Sequence, residues 1–327
     1  MKALVTGGTG FVGSHLVDHL SRHGVDVHVL MRKTSSDKNL KGSQYKKIEG
    51  DISDIDSLIS AMQGVDVVYH LAGVITAKNK QEYLKHNATG TENVAKAMLS
   101  AGLNGKRLVY VSSLAAGGHS DEVGVRNEDH NDAPVSSYGF SKGLGEEKLK
   151  SYFDQLSIVI LRPPAVYGPK DPASFIVVKT VSKKIVPLLG PKKYSLIHVS
   201  DLTRAIELAG KVESSKIKSG EVFYVSSGEI VDIKDWMSEI AHNLGIKPIW
   251  LPLPQKILIV PAYLLSFISL FTGKTPMLNV DKLNEIFPNA WTCEITKAKN
   301  ILGFSPQIDL KTGMQDAVNW YKKAGWI

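Results

Sequence analysis

A short apolar run, Ala3-Leu4-Val5, breaks into Thr6-Gly7-Gly8-Thr9-Gly10-Phe11-Val12-Gly13 and then into an amphipathic pattern through Leu16, Val17 and Leu20. Strand, glycine turn and helix in this order leave few folds open. Gly7 suits a tight turn, Gly10 lets backbone approach a pyrophosphate, and Gly13 lets the helix pack close to the strand. The helix N-terminus adds free N–H groups and the positive end of its dipole, both suited to phosphate. The segment therefore predicts a dinucleotide site built on Gly7, Thr9, Gly10, Phe11, Val12 and Gly13. The bland alternative is a glycine turn inside some other α/β domain.

The rest of the first half supports the same reading. Strand-like runs at 2–5, 27–31, 46–49, 65–70, 107–112 and 157–161 alternate with helical patterns near 11–23, 54–62, 80–101 and 137–153. Such alternation predicts parallel βαβ units with right-handed crossovers, an α/β fold with a doubly wound sheet. Val65, Val67 and Val68 make an apolar run broken only by Asp66, as in strands covered on both faces. Beyond about residue 165 prolines and lysines become frequent and the helices lose their even spacing. Residues 1–165 are expected to form the nucleotide-binding domain. Residues 166–327 are expected to form a smaller, mainly substrate-binding part, with some segments returning to the first domain. No internal repeat is visible.

With 327 residues, 43% of them apolar and 22% charged, the composition is that of an ordinary globular protein. A formal charge of +7 raises the question of nucleic acid or an anionic membrane. The lysines are scattered in short pairs, 46–47, 183–184 and 192–193, so a solvated surface is the favoured reading and no nucleic-acid partner is expected. The single cysteine, Cys293, cannot form an internal disulfide and fits a reducing, cytoplasmic setting. The opening strand carries the glycine motif, so no cleavable leader is expected, and no metal site is expected either.

Three later features bear on chemistry. Tyr138 and Lys142, in YGFSK, lie four apart and share a helix face. A nearby ammonium stabilises a phenolate, lowers the tyrosine pKa from its ordinary value near 10 and makes Tyr138 a usable acid or base. Ser112 and Ser113 end an apolar run at the carboxyl end of a strand, where ligands sit in open parallel sheets. Arg162-Pro163-Pro164-Ala165-Val166-Tyr167-Gly168-Pro169 is a stiff loop that could line a nicotinamide. Taken singly, each has a plain alternative: a surface Tyr and Lys, a strand-exit cap, a structural turn.

In combination these residues resemble the extended short-chain dehydrogenase/reductase family, which spans NAD-dependent epimerases and dehydratases, 3β-hydroxysteroid dehydrogenase-like and dihydroflavonol-reductase-like members. The likeness runs through TGGTGFVG at 6–13, GDISD at 50–54, HLAG at 70–73, HNATGTENV at 86–94, VSS at 111–113, YGFSK at 138–142, RPPAVYGP at 162–169 and IHVSDL at 197–202. It implies a Rossmann domain, a nicotinamide dinucleotide and a Ser-Tyr-Lys site. It places the catalytic serine at Ser113, with Ser112 as second candidate, and makes Tyr138 the acid/base. Lys142 would lower the Tyr138 pKa and hold the nicotinamide ribose. Asp51 would sit by the adenine and Ala72 by the ribose or nicotinamide. Ile52, Leu71, Gly73, Pro164 and Val166 are the other positions expected to touch the dinucleotide. Asn87 would tie the structure together near the site, or serve only as a helix cap.

The second strand ends in Met31-Arg32-Lys33, where an NAD enzyme commonly has an acid for the ribose hydroxyls. Arg32 with Lys33 can receive a 2′-phosphate, so NADP is expected over NAD. Leu114 and Ala115 follow Ser113 where sugar dehydratases of the family carry acids, which argues against dehydration. Within 249–271 the core Ile257–Phe271 has no charged residue. It is short of the ~20 residues of a membrane span and Pro261 interrupts it. The favoured reading is a cover over an oily substrate pocket. The second is a dip into a membrane surface aided by Lys256 and Lys274, and the third is a true span. The leading expectation is an NADP(H)-dependent alcohol–ketone oxidoreductase acting on an apolar small molecule. A nucleotide-sugar epimerase with tightly held NAD is the runner-up, and a non-catalytic redox sensor the third. A homodimer and peripheral membrane association are left open.

Overall fold

The computed structural model describes residues 1–272, 276 and 278–327; Lys274 lies outside the described residues. Six strands come in chain order: β1 (Lys2–Thr6), β2 (Asp26–Met31), β3 (Lys46–Glu49), β4 (Val67–His70), β5 (Arg107–Val111) and β6 (Ser157–Arg162). With the strand Glu221–Tyr224 they form one sheet in the order Glu221–Tyr224, β6, β5, β4, β1, β2, β3. Every pairing is parallel. The winding reverses between β1 and β4, the crevice where doubly wound sheets place ligands. The chain past residue 165 therefore contributes a strand to the main sheet.

Alternate residues along the inner strands feed two separate cores, while β3 is a largely exposed edge strand. Ala3, Val5, Val27 and Val29 pack with Leu16, Val17 and Leu20 of the helix Phe11–Arg22 and with Leu202, Ala205 and Ile206 of the helix Val199–Lys211. Leu4, Leu30, Val68 and Leu108 point the other way, onto Leu58, Val94, Met98 and Leu149. Both faces of the inner strands are dry, which is why the sequence reads there as apolar runs without alternation. His19 and His23, one turn apart, meet the Glu207 carboxylate at 2.8 and 3.2 Å, and Lys211 donates to it at 2.6 Å, tying the two helices of the first layer together.

The smaller part has its own core, in which Val178, Trp236, Ile240, Val318 and Tyr321 join the helices Pro172–Ser182, Ile233–Leu244 and Leu310–Lys323. Short strands Ala165–Tyr167, Lys193–His198, Ile230–Asp232 and Ala290–Trp291 make a second sheet, and Ile185–Leu188 pairs with Ile249–Pro252. The predicted membrane-span reading of 249–271 fails on length. The helix Ile259–Thr272 has 14 residues, about 21 Å at 1.5 Å per residue, against a hydrocarbon core of ~30 Å. Among the described residues no helix is long and apolar enough to cross a membrane.

One buried ion network joins these parts. Arg162, at the carboxyl end of β6, donates to Glu146 through Nε at 3.0 Å and Nη2 at 2.5 Å, and to both Asp132 oxygens at 2.6 Å. It also donates to the Tyr224 hydroxyl at 3.1 Å. Glu146 lies on the helix Ser137–Leu149 and is itself buried. Removing the guanidinium strands a carboxylate in the interior. Arg162→Ala is expected to lose about 3–5 kcal/mol of unfolding free energy, read from the denaturant midpoint at neutral pH. A loss below ~1 kcal/mol, the value of an exposed pair, would show that the network does not hold the helix.

Candidate active site

The glycine turn is shaped by contacts that no side chain could share. Gly7 has φ +75°, and a Cβ there would lie 2.6 Å from the Ala72 nitrogen. A Cβ on Gly13 would collide with the Gly7 carbonyl oxygen. That same carbonyl accepts from the Gly10 N–H at 3.0 Å, closing the turn. Gly10 then caps the helix Phe11–Arg22 without any side-chain hydrogen bond, and the first turn carries no acid. The positive end of the helix dipole is thus left uncancelled. This cradle fits the pyrophosphate of a dinucleotide, and its shape depends on the loop after β4. There Leu71 N–H donates to the Thr6 carbonyl at 3.1 Å and Ala72 N–H to the Thr6 hydroxyl at 3.3 Å.

The other positions named for the cofactor fall along the carboxyl edge of the sheet. Arg32 is exposed just past β2, while Lys33 is paired with Glu49 at 3.3 Å. Asp51 follows β3 and accepts from the Ser53 N–H and hydroxyl at 2.8 and 2.7 Å. Burial works to raise its pKa, but those bonds and the charge of Arg32 outweigh it, so the carboxyl sits below its ordinary range. The Ile52 carbonyl accepts from Asn93 at 3.0 Å. Thr9 is half-buried and its carbonyl accepts from Asn39 at 3.0 Å. Phe11, Val12, Leu71, Gly73, Pro164 and Val166 border one cavity of about 510 Å³.

Ser113, Tyr138 and Lys142 border the same cavity. Tyr138 and Lys142 lie one turn apart on the helix Ser137–Leu149, whose first turn is capped by Ser136 accepting from Gly139 N–H at 3.0 Å. The serine pair divides its duties. The buried Ser112 hydroxyl donates to Glu146, inside the Arg162 network. The Ser113 hydroxyl caps a short helix, accepting from Ala115 N–H at 3.1 Å, and its influence on the Tyr138 phenol favours the ionised form.

The electrostatics depart from the expectation that Lys142 lowers the Tyr138 pKa. Burial pushes the phenol up to about 12, Ser113 pulls it back only in part, and Glu285 and Tyr83 push it further up. The Lys142 ammonium is instead given to the Val111 carbonyl at 2.8 Å and lies 4.3 Å from the centre of the Tyr110 ring. Burial brings Lys142 down to about 7, with Glu146 opposing. Desolvation thus dominates both groups and shifts each toward its neutral form.

Asn87 caps no helix. It sits in a π-helical turn, Leu84–Thr89, accepting from Val74 N–H at 2.8 Å and donating to the Val74 carbonyl and the Ser141 hydroxyl at 2.9 Å each. It therefore staples the loop after β4 to the helix that carries Tyr138 and Lys142.

The far wall comes from a part of the chain that sequence reasoning did not single out. Asp281 accepts from the Ser137 N–H and hydroxyl, both at 3.0 Å, and Glu285 accepts from Ser136 at 2.5 Å while pairing with Lys282. The helix Val280–Ile286 is thereby fastened to the start of the Tyr138 helix, and its Lys282, Glu285 and Ile286 border the cavity. Nothing in their spacing signals this, because the partners are separated by some 145 residues. Among the described residues of 249–271 none borders the cavity. The pocket-cover expectation is therefore corrected: the helix Ile259–Thr272 packs on the helix Val280–Ile286 and stands one layer out.

A family model described as NAD dependent epimerase/dehydratase family matches residues 3–225. A ceramide reductase of Caulobacter vibrioides is 27% identical over 99% of this chain and 95% of the relative. A putative UDP-glucose 4-epimerase of Methanocaldococcus jannaschii is 30% identical over 98% of each chain. The crystal structure of gox2253 is 26% identical and superposes with a TM-score of 0.81, covering 99% of this chain and 98% of the other.

Lys142 also sets a pH signature. Its pKa falls from 10.5 in the unfolded chain to about 7 in the fold, so between these values the unfolded chain binds the extra proton. The cost of burying the charge is complete below pH 7 and fades as the pH rises toward 10.5. Lys142→Met should therefore be more stable than wild type at pH 6, by roughly 2 kcal/mol, with the gap closing by pH 10. Melting curves across that range check this, and a gap that widens with pH would reverse the sign.

Proposed function

The chain belongs to the NAD dependent epimerase/dehydratase family, and from that premise we propose that it is an NADP(H)-dependent oxidoreductase interconverting a secondary alcohol and a ketone on a largely apolar substrate. The observation that carries the reading is the cavity. Ser113, Tyr138 and Lys142 share it with the glycine turn, and Val74, Ile75, Leu114, Ile286 and Trp291 form apolar walls. The described residues bordering it include two cationic side chains. Lys142 is given to the Val111 carbonyl and Lys282 is paired with Glu285. A nucleotide-sugar diphosphate finds no free clamp among them, whereas an apolar chain or ring system is well served. The likeness to a protein named ceramide reductase supports a lipid-like substrate.

When bound, the nicotinamide supplies or accepts the hydride. The glycine cradle and the N-terminus of the helix Phe11–Arg22 would hold the pyrophosphate, and Lys142 a ribose. In the reducing direction the Tyr138 phenol, pushed up to about 12, is protonated at neutral pH and delivers its proton to the substrate oxygen. The Ser113 hydroxyl, which borders the same cavity, orients the same oxygen. In the oxidising direction Tyr138 must first lose its proton. Oxidation and reduction therefore place opposite demands on the protonation of Tyr138.

A specific observation keeps the second reading in view: the 30% identical relative is named an epimerase. An epimerase retains its dinucleotide through purification, and a reductase exchanges it with the medium. Tyr138→Phe is expected to lose on the order of 10²–10⁴ in turnover while NADPH affinity by calorimetry changes less than about threefold. Full turnover of the variant on a ketone substrate would remove Tyr138 from the mechanism. Dinucleotide that resists dialysis from the wild-type protein would favour the epimerase.

Arg32 is proposed to select NADP. Arg32→Asp is expected to weaken NADPH at least tenfold more than NADH, since a bidentate phosphate partner becomes a repelling charge. Equal losses measured by titration would show that Arg32 does not read the 2′-phosphate.

A further inference from the structure

The helix Ile259–Thr272 is inside out. Ala262 is buried and Ser266 and Ser269 are half-buried, so its small and hydroxyl residues face the protein. Ser266 even accepts from the Val280 N–H, at 3.3 Å, and Ser269 donates back to the Ser266 carbonyl at 2.6 Å. The large residues face out: Val260 is 73% exposed, Phe267 58% and Phe271 77%, with Tyr263 and Leu264 between them. This is the reverse of the ordinary amphipathic helix, which buries its large apolar side chains. Leu251 and Ile249 on the strand that precedes the helix, and Ile185 on the strand paired with it, are exposed as well. An apolar surface of this extent on a globular protein marks a binding site.

The surrounding charge says what covers it. Residues 172–200 and 240–280, which supply the paired strands and the helix, contain no Asp or Glu. They expose Lys179, Lys183, Lys184, Lys247 and Lys256. A second copy docked by two-fold symmetry would set this lysine rim against itself, with no carboxylate in either segment to pair. An anionic bilayer satisfies both halves of the pattern, apolar side chains below the headgroups and ammonium groups among the lipid phosphates. We propose that this face docks the protein on an anionic membrane surface, with the helix Ile259–Thr272 lying in the headgroup layer. The inference stands whether the cavity reduces a lipid or epimerises a sugar.

The test is sedimentation of the full chain with vesicles of phosphatidylcholine alone or mixed with one-third phosphatidylglycerol. Binding is expected to the mixed vesicles, much weaker to the neutral ones, and falling with added salt. Leu264→Ser with Phe267→Ser should weaken it at least tenfold, and Lys183→Glu with Lys184→Glu by fivefold or more for each charge. Both variants alter exposed side chains, so unchanged NADPH affinity serves as the control for folding. Wild-type chain that ignores both vesicles overturns the proposal. So does equal binding to both, or a serine variant that binds as wild type. A concentration-dependent dimer that the serine variant abolishes, without vesicle binding, would assign the face to self-association.

Discussion

The guanidinium of Arg162 is the point on which the geometry of the candidate active site rests. It stands at the end of β6, and its partners come from the Tyr138 helix, the loop at Asp132 and the edge strand Glu221–Tyr224. Glu146 accepts from it and from Ser112 at once. That shared carboxylate fixes the distance between the end of β5, where Ser113 begins, and the helix that carries Tyr138 and Lys142. Charges buried this well stabilise little compared with an apolar packing of the same volume, but losing one partner is costly. The network is better understood as fixing position than as adding stability.

With the helix held, burial decides the chemistry. The Tyr138 phenol is raised to about 12 and the Lys142 ammonium lowered to about 7 by the same cause, removal from water. A tyrosine that keeps its proton suits delivery to an oxyanion. The chain stores this as a stability cost at Lys142, offset by the Val111 carbonyl and the Tyr110 ring. Asn87 and Asp281 complete the frame from either side, one through the π turn and one from the helix Val280–Ile286.

The main sheet was legible because a strand covered on both faces has no choice of residue. The predicted strands 27–31 and 107–112 lie within a residue of the buried β2 and β5, while 46–49 matches β3, an exposed edge strand to which that reason does not apply. The glycine turn was legible because backbone contacts at Gly7 and Gly13 exclude every side chain. What was not legible is long-range. The π turn at 84–89 hides inside an apolar period that fits a plain helix. Spacing puts Lys142 on the face of Tyr138 but cannot say that its ammonium goes to Val111. The apolar core of 257–271 looked like a lid, because apolar residues are ordinarily read as inward-facing. Here the inward face is Ala262, Ser266 and Ser269, and only the packing on Val280–Ile286 reveals it.

The late edge strand has a consequence for how the molecule is made. Glu221–Tyr224 pairs with β6, its Tyr224 N–H donates to Glu128 at 2.8 Å, and Ser219 accepts from the Ile158 N–H at 3.0 Å. A nascent chain that has reached residue 165 already holds Ser113, Tyr138 and Lys142, yet β6 is still a bare edge and Arg162 lacks the hydroxyl above it. At ribosomal speeds of about 5–20 residues per second, several seconds pass before the missing strand emerges. Unpaired parallel edges are sites of mispairing in that interval. The boundary between the two halves of the sequence is therefore not a point at which synthesis can pause with a finished domain.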